Sequence, residues 1–373
     1  FVLLSVPGFI LAGNLMNSGG LTDKIIAFCN HLFGHIRGGL ALVNIGASML
    51  FAGISGTAVA DTASIGSIMI PAMKKEGYDE GFSCAVTAAS STVGPIIPPS
   101  VPMIIAATLS GLSVGKLFLA GAIPGLLLGL GMMGLTYWIS RKRGYPKHPR
   151  SKFGQIIRSF GQTFWALLMT VIILFGIIGG IFTPTEASII AVIYSLLVGW
   201  LVYRKLNVRN LPAIILDSMK TSASLMVLIG FANLFGWILI VEQVPQNVSE
   251  QILDFTQNKY LVLLLINLLL IFVGTFMETI AALLILFPLL LKVAVSVGVD
   301  PIHFGVIAVL NLIIGLTTPP VGVCLFVASS IGQVSVAKVS KASLPFLAVC
   351  LLVLTLVTLF PQLSLFLPTL FLD

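Results

Sequence analysis

Charged side chains are scarce in this chain. They make up 9% of 373 residues against 57% apolar ones, and a mean hydropathy of +1.09 excludes a soluble domain of this length, which needs charge over its surface. The composition points instead to an all-α polytopic membrane protein. Strand-like alternation is missing too: apolar runs continue over about 20 residues, the length of a helical span, whereas barrel strands alternate over about 10. Cysteine is sparse, and Cys29, Cys84, Cys324 and Cys350 lie apart without a Cys-x-x-Cys pair, as small core residues do. His31 and His35 could share a helix face, which reads as a solvated face rather than a two-ligand metal site. There is no Gly-x-x-x-x-Gly-Lys-Ser/Thr loop, so the chain does not itself hydrolyse ATP. No Ser-His-Asp or His-Glu-x-x-His arrangement supports a hydrolase either, and no enzyme is expected. No signal-peptide n-region precedes Phe1, which already lies in an apolar run, so a longer protein with further N-terminal helices is expected.

What charge there is falls into clusters. The net charge of +7 sits in short basic groups between apolar runs, the pattern of cytoplasmic loops rather than of a nucleic-acid surface. Phe1 to Met16 reads as a span, and Asn17 to Gly34 as an amphipathic helix lying in the interface. Gly38 to Met73 would run roughly 50 Å as one helix, too long for a single span, while two spans and a loop need over about 40 residues. A re-entrant hairpin fits, with its tip at Ser55-Gly56-Thr57 and basic residues at both ends, Arg37 and Lys74-Lys75, placing both on the cytoplasmic side. Gly81 to Leu109 is interrupted at Gly94-Pro95-Ile96-Ile97-Pro98-Pro99-Ser100-Val101-Pro102, where prolines remove amide donors and break the helix. Such backbone survives at membrane depth only where it is buried in protein or lines a cavity. Leu117 to Ile139 then returns to the most basic loop, Arg141 through Lys152. Trp165 to Ile181 and Ala187 to Tyr203 form an out-and-back pair, and Ser222 to Val241 runs outward into Glu242, Glu250 and Asp254. Tyr260 to Leu291 repeats the length puzzle, with its tip at Gly274-Thr275 followed by Glu278. Ile302 to Ser330 is broken at Thr317-Thr318-Pro319-Pro320-Val321-Gly322, and a last span begins near Ala342.

The two halves share their spacing. Asp61 to Pro71 is ten residues, as is Glu278 to Pro288; Asp79 to Pro98 is nineteen, as is Asp300 to Pro319; Pro98 to Pro124 is twenty-six, as is Pro319 to Pro345. Topology makes the repeat inverted, because the first hairpin begins beside cytoplasmic arginine and lysines and the second follows an outward-going span and an acidic segment. Interrupted helices in corresponding positions of inverted halves are the signature of a secondary transporter with its site near the midplane.

The chemistry of the tips and breaks suits a small cation and an anion together. Ser55, Thr57, Asp61, Thr317 and Thr318 offer oxygens, and carbonyls are freed around Gly94, Pro95, Ile97, Gly315 and Thr318, as in sodium sites of transporters. Half-helix N-termini supply partial positive charge for a carboxylate, since no Lys or Arg lies in the predicted membrane centre. Asp61 and Glu278 could instead cap half-helices, and the hydroxyls of Ser64, Ser67, Ser90, Ser91 and Thr92 could serve close packing alone. A channel and a non-transporting membrane scaffold are the competing classes.

Four segments carry a resemblance: Ala52-Gly53-Ile54-Ser55-Gly56-Thr57-Ala58-Val59-Ala60-Asp61, Gly94-Pro95-Ile96-Ile97-Pro98-Pro99-Ser100, Gly180-Ile181-Phe182-Thr183-Pro184-Thr185-Glu186-Ala187, and Gly315-Leu316-Thr317-Thr318-Pro319-Pro320-Val321-Gly322. In this order they resemble the signature segments of the large membrane subunit of tripartite ATP-independent periplasmic (TRAP) transporters. The resemblance implies an ion-transporter-like elevator: a scaffold (1–37 and 140–259) around two transport repeats, one at 38–139 with hairpin 38–73 and broken helix 81–109, the other at 260–373 with hairpin 260–291 and broken helix 302–330. It implies sodium-coupled import of an organic acid, such as sialic acid or a C4-dicarboxylate, across the bacterial inner membrane. A periplasmic substrate-binding protein and a small four-helix membrane subunit, separate or fused, are the implied partners, with the lipid bilayer around them and no nucleic acid. The sodium ligands carried over are Ser55, Gly94, Ile97 and Pro98 in one site and Gly274, Thr318 and Pro320 in the other, with Asp61 close by. Gly56, Thr57, Thr275 and Glu278 at the tips join them as candidates, and Ser55, Thr57, Ser100 and Thr317 are expected to meet substrate.

Overall fold

The computed structural model describes residues 2–207, 209–243, 256 and 258–372, without the side chains of 53–55, 233, 236, 239 and 240. Every regular element among them is helical. A short 3₁₀ turn leads into α1 (Ser5–Ser18). α2 (Leu21–Phe33) bends from it by 67° at Gly19-Gly20, where Gly20 takes φ +83°. Leu21, Ile25, Phe28 and Cys29 of α2 are buried, giving the amphipathic face expected of this stretch.

The first long segment folds as two helices, α3 (Gly39–Ser55) and α4 (Ala58–Lys75), packed against each other. Gly56 takes φ +65° at the break, a conformation open to glycine. α5 (Glu80–Ser90) follows, capped by Asp79, whose side chain accepts the Phe82 N–H at 2.8 Å. After a 3₁₀ turn the chain is unwound from Gly94 until Ser100 caps α6 (Val101–Ser110) by accepting the Met103 N–H. α7 (Val114–Arg143) ends with three basic residues in its last turn, where the helix dipole favours cations. α8 (Phe153–Ile178) and α9 (Pro184–Leu197, continued by a π turn to Val202) are joined by a tight turn in which Thr183 and Glu186 form a capping box. α10 (Leu211–Val241) ends the first half.

The second half repeats the plan. α11 (Lys259–Phe276) and α12 (Thr279–Ser296) form the second hairpin, α13 (Pro301–Gly315) and α14 (Val323–Gly332) the second broken helix, and α15 (Val336–Leu359) with α16 (Gln362–Leu372) close the chain. Positions matched by spacing are matched in role: Asp300 caps α13 as Asp79 caps α5, accepting the Ile302 and His303 N–H groups at 2.8 and 3.0 Å. The Pro98-Pro99 and Pro319-Pro320 peptides are both cis, and Pro124 and Pro345 both lie inside the helix that follows.

The structure moves one expected tip. Gly274 and Thr275 lie in the last turn of α11, and the turn itself falls at Met277-Glu278, because the Glu278 carboxylate caps α12 through the Ile280 and Ala281 N–H groups at 2.8 and 3.3 Å. Glu278 is thus the cap of its helix, whereas Asp61 lies within the first turn of α4 behind the cap residue Thr57, so the equal spacing to Pro71 and Pro288 does not give the two carboxylates one helical position. Glu250 and Asp254 of the expected acidic segment lie outside the described residues.

Seven helices among the described residues are long and apolar enough to cross a membrane, or eight if α1 and α2 count as one bent span, so the chain is a multi-pass membrane protein. Its centre is made by α5 and α13, buried from Gly81 to Ser90 and from His303 to Gly315. Buried amides tie each to its hairpin: Asn44 on α3 donates to the Thr87 hydroxyl at 2.6 Å, and Asn311 donates to Asn267 on α11 at 2.8 Å. At one end of the molecule Lys74, Asp79, Glu80, Arg143 and Lys338 meet, with Lys74–Glu80 at 3.0 Å and Lys338–Glu80 at 3.4 Å. Lys74 and the basic loop that begins at Arg141, both read as cytoplasmic from the sequence, lie together here, with Lys338 of the second half beside them. The Lys74 ammonium, by hydrogen bond and charge, holds the Glu80 carboxyl below its ordinary range.

Candidate functional site

The first group of expected site residues meets where the tip of the first hairpin touches the first break. Thr57 is extended and opens α4, and Asp61 lies in the first turn, fully buried. A Cβ built on Gly94 would stand 3.3 Å from Asp61 Oδ2, so glycine lets the carboxylate approach the unwound backbone. Neither Asp61 oxygen has a hydrogen-bond partner among the described residues. A Cβ on Gly56 would stand 3.1 Å from Val101, which seats the tip on the start of α6. Ser100 is buried and its hydroxyl donates to the Pro95 carbonyl, holding the break in shape. Ile96 and Ile97 both donate to the Val93 carbonyl at 3.2 Å; no hydrogen bond among the described residues ends on the carbonyls of Gly94, Ile97 or Pro98. The side chain of Ser55 lies outside the described residues.

The second group assembles the same way. Gly274 packs against Gly315 so closely that a Cβ on Gly315 would fall 2.4 Å from the Gly274 backbone. The Gly322 N–H donates to the Thr275 carbonyl at 3.2 Å, tying the hairpin to the break. Thr317 and Thr318 both turn their hydroxyls onto the Ile314 carbonyl, at 3.0 and 2.8 Å, so their oxygens remain acceptors. Thr317 is buried, Thr318 half-buried and Pro320 exposed.

One residue links the groups. Cys324, at the start of α14, lies beside the Thr62 side chain and near Asp61 and Glu278. A separate small core, with Ala58 and Ile70 on α4 against Leu316, Leu325 and Ala328, packs the first hairpin onto the second broken helix. Both hairpin ends and both breaks thus come together without a lysine or arginine among them. A buried carboxylate with no donor costs several kcal/mol unless a cation joins it. Asp61, the open carbonyls and the absence of bases therefore make a setting in which a small hard cation fits.

Sequence reading missed a cavity of about 180 Å³ beside the first tip. Its polar lining is Asn14 and Asn17 of α1, Thr57 and Ser64 of α4, and Asp217 and Thr221 of α10. The signal was present in Asn14 inside the first span, in Asn17 just past its end, and in Asp217 within the mostly apolar stretch Ile214–Met219. Read one at a time, each passes for a packing residue.

Comparison with known proteins follows the same lines. The family described as tripartite ATP-independent periplasmic transporter, DctM component, matches residues 1–363. The sialic acid TRAP transporter large permease protein SiaM of Vibrio cholerae is 45% identical over 372 residues, covering 100% of this chain and 87% of that protein. The C4-dicarboxylate TRAP transporter large permease protein DctM of Pseudomonas aeruginosa is 42% identical over 368 residues, covering 99% and 86%. Among solved structures, the YdaH transporter of Alcanivorax borkumensis, described as having an unusual topology, aligns with a TM-score of 0.69 over 96% of this chain and 85% of its own, at 15% identity. That last likeness speaks to the fold alone.

Proposed function

The chain belongs to the DctM component family of tripartite ATP-independent periplasmic transporters, a family of transport permeases and not of enzymes, and on that premise we propose that it is the large permease of a sodium-coupled importer of organic acids. Sialic acid and C4-dicarboxylates are the candidate substrates, since relatives at 45% and 42% identity carry those names. In this reading a periplasmic binding protein delivers the acid and a small four-helix membrane subunit braces the permease in the bacterial inner membrane, as its resemblance to TRAP large subunits implies.

The observation that carries this reading is the buried Asp61 carboxylate, without a donor and set against Gly94 of the broken helix. A sodium ion there, held by Asp61 and by the carbonyls of Gly94, Ile97 and Pro98, neutralises the carboxylate and adds positive charge beside the start of α4. The acid then enters a site that lacks lysine and arginine, so its affinity follows sodium occupancy, which is coupling in the thermodynamic sense. A second ion belongs at Gly274, Thr275, Thr318 and Pro320, where backbone dominates. The matched spacing of the halves supports an inverted repeat, and the two hairpins with their broken helices move as a transport unit against a scaffold that includes α1, α2 and α8 to α10.

Uptake into proteoliposomes holding the permease, its small subunit and the binding protein tests this. Labelled acid should accumulate only under an inward sodium gradient and should saturate with acid. Sodium conductance without acid accumulation would replace the transporter with a channel.

A further inference from the structure

This inference rests on the transporter reading above and concerns which acid is carried. Relatives named for sialic acid and for C4-dicarboxylates differ by only three points of identity, 45% against 42%, so similarity does not separate a sugar acid from a dicarboxylate. The cavity at the first hairpin tip does.

Asn17 serves as wall, since its amide donates to Ser64 at 2.7 Å and its carbonyl accepts from Thr22 at 2.7 Å. The other polar groups lean toward accepting hydrogen bonds. Asn14 gives one amide N–H to the Ser218 hydroxyl at 2.8 Å and keeps its carbonyl oxygen as an acceptor. Thr221 spends its hydroxyl proton on the Asp217 backbone carbonyl at 3.1 Å, leaving lone pairs. Asp217, exposed on α10, brings a carboxyl group that makes no ion pair among the described residues. Among the described residues no lysine or arginine lines the cavity; Lys220, three residues on, is outside the lining. What favours an anion is the start of α4, where Thr57 and Ala60 border the cavity and the first helical bond is that of the Asp61 N–H to Thr57, at 3.2 Å, together with the Ser64 hydroxyl, which accepts from Asn17 and keeps its own proton.

A C4-dicarboxylate at neutral pH carries two anionic ends and few or no donors. One end can meet the start of α4, but the other must then face the Asp217 carboxylate and acceptors that it cannot satisfy. A polyhydroxylated monocarboxylate matches both ends: its carboxylate meets the helix start, and its hydroxyl and amide donors meet Asp217, Asn14 and Thr221. We propose that Asp217 makes this cavity a subsite for the donor-rich end of a hydroxylated monocarboxylic acid of the sugar-acid type and excludes dicarboxylates by like charge.

The test is equilibrium binding of labelled sialic acid and succinate to the purified permease with its small subunit, in sodium and without binding protein. Sialic acid should bind at least about tenfold more tightly than succinate, the size of effect expected when like charges face each other. Asp217→Asn should narrow that ratio by about tenfold through better succinate binding, and Asp217→Glu should restore it. Thr221→Val, which leaves the charge in place, should weaken sialic acid binding and spare succinate. Tighter binding of succinate by the unaltered protein, or a ratio unmoved by both Asp217→Asn and Thr221→Val, overturns the proposal. Sodium-driven uptake separates its failure from that of the reading beneath it: preferential uptake of succinate leaves the transporter standing and removes the subsite, whereas no sodium-driven uptake of either acid removes both.

Discussion

Replacing Asp61 with asparagine keeps the volume and one carbonyl oxygen and removes the charge. In the structure that carboxyl group is fully buried, has no donor among the described residues and abuts Gly94. A monovalent cation about 4 Å from a carboxylate gains about 4 kcal/mol at an effective dielectric constant of about 20, worth about a thousandfold in affinity. The asparagine oxygen still serves as a ligand, so the half-saturating sodium concentration for uptake should rise by about 10²- to 10³-fold. The same substitution relieves the cost of burying an unpaired carboxylate, several kcal/mol in proteins. Asp61→Asn should therefore melt at a higher temperature than the unaltered protein in sodium-free buffer and lose most of the stabilisation that sodium gives by mass action. Thermal unfolding of the purified protein across a sodium titration, with potassium holding ionic strength constant, reads both effects. If Asp61→Asn keeps its sodium-dependent melting shift and half-saturates within threefold of the unaltered protein, Asp61 is no ligand and its burial needs another explanation.

Further outcomes follow from other parts of the fold. Gly315→Ala puts a methyl 2.4 Å from the Gly274 backbone and should destabilise by about 1–3 kcal/mol as the hairpin is pushed off the break; unchanged melting and uptake would show that the two need not touch. Asn311→Leu should cost about 1–3 kcal/mol by leaving Asn267 short of a buried partner, read as a lower melting temperature in detergent. Cysteines placed at Lys74 and Asn258 in a background without the four native ones should label from opposite membrane faces, and labelling from one face would refute the inverted arrangement. Glu80 titrates below its ordinary range because Lys74 pairs with it. Its contribution is therefore present above the usual carboxylate range and lost as pH falls through its lowered value, and Glu80→Gln should flatten the acid limb of melting temperature against pH.

Much of this architecture was legible in the sequence because its causes are local. Segment length alone argued for a hairpin at 38–73, and the chain breaks there at Gly56-Thr57 as expected. Prolines announced both unwound stretches, since a Pro-Pro pair withholds two successive amide donors from a continuous helix. The second tip was misplaced because Gly-Thr was matched by composition, while the turn is decided by which residue can cap the next helix, and that is Glu278. The equal intervals to Pro71 and Pro288 hid the same fact, because counting residues does not show where a helix starts. The cavity was illegible for a different reason. It joins α1, α4 and α10, elements up to two hundred residues apart, and no pattern within any one of them shows that their polar faces share a space.

The buried amides can be viewed mechanically. Asn44 on Thr87 and Asn311 on Asn267 act as keys in slots: an interior amide bond has no water to replace it, so sliding α3 along α5 or α11 along α13 by one helical turn would strand donors in a dry core. The bond that joins α1 to α4, Asn17 to Ser64, instead borders a cavity that solvent can fill, and water can take either end of it as the partners separate. If the transport unit moves as proposed, it is the wet latch, rather than the two dry keys, whose mutation should alter how fast the protein cycles.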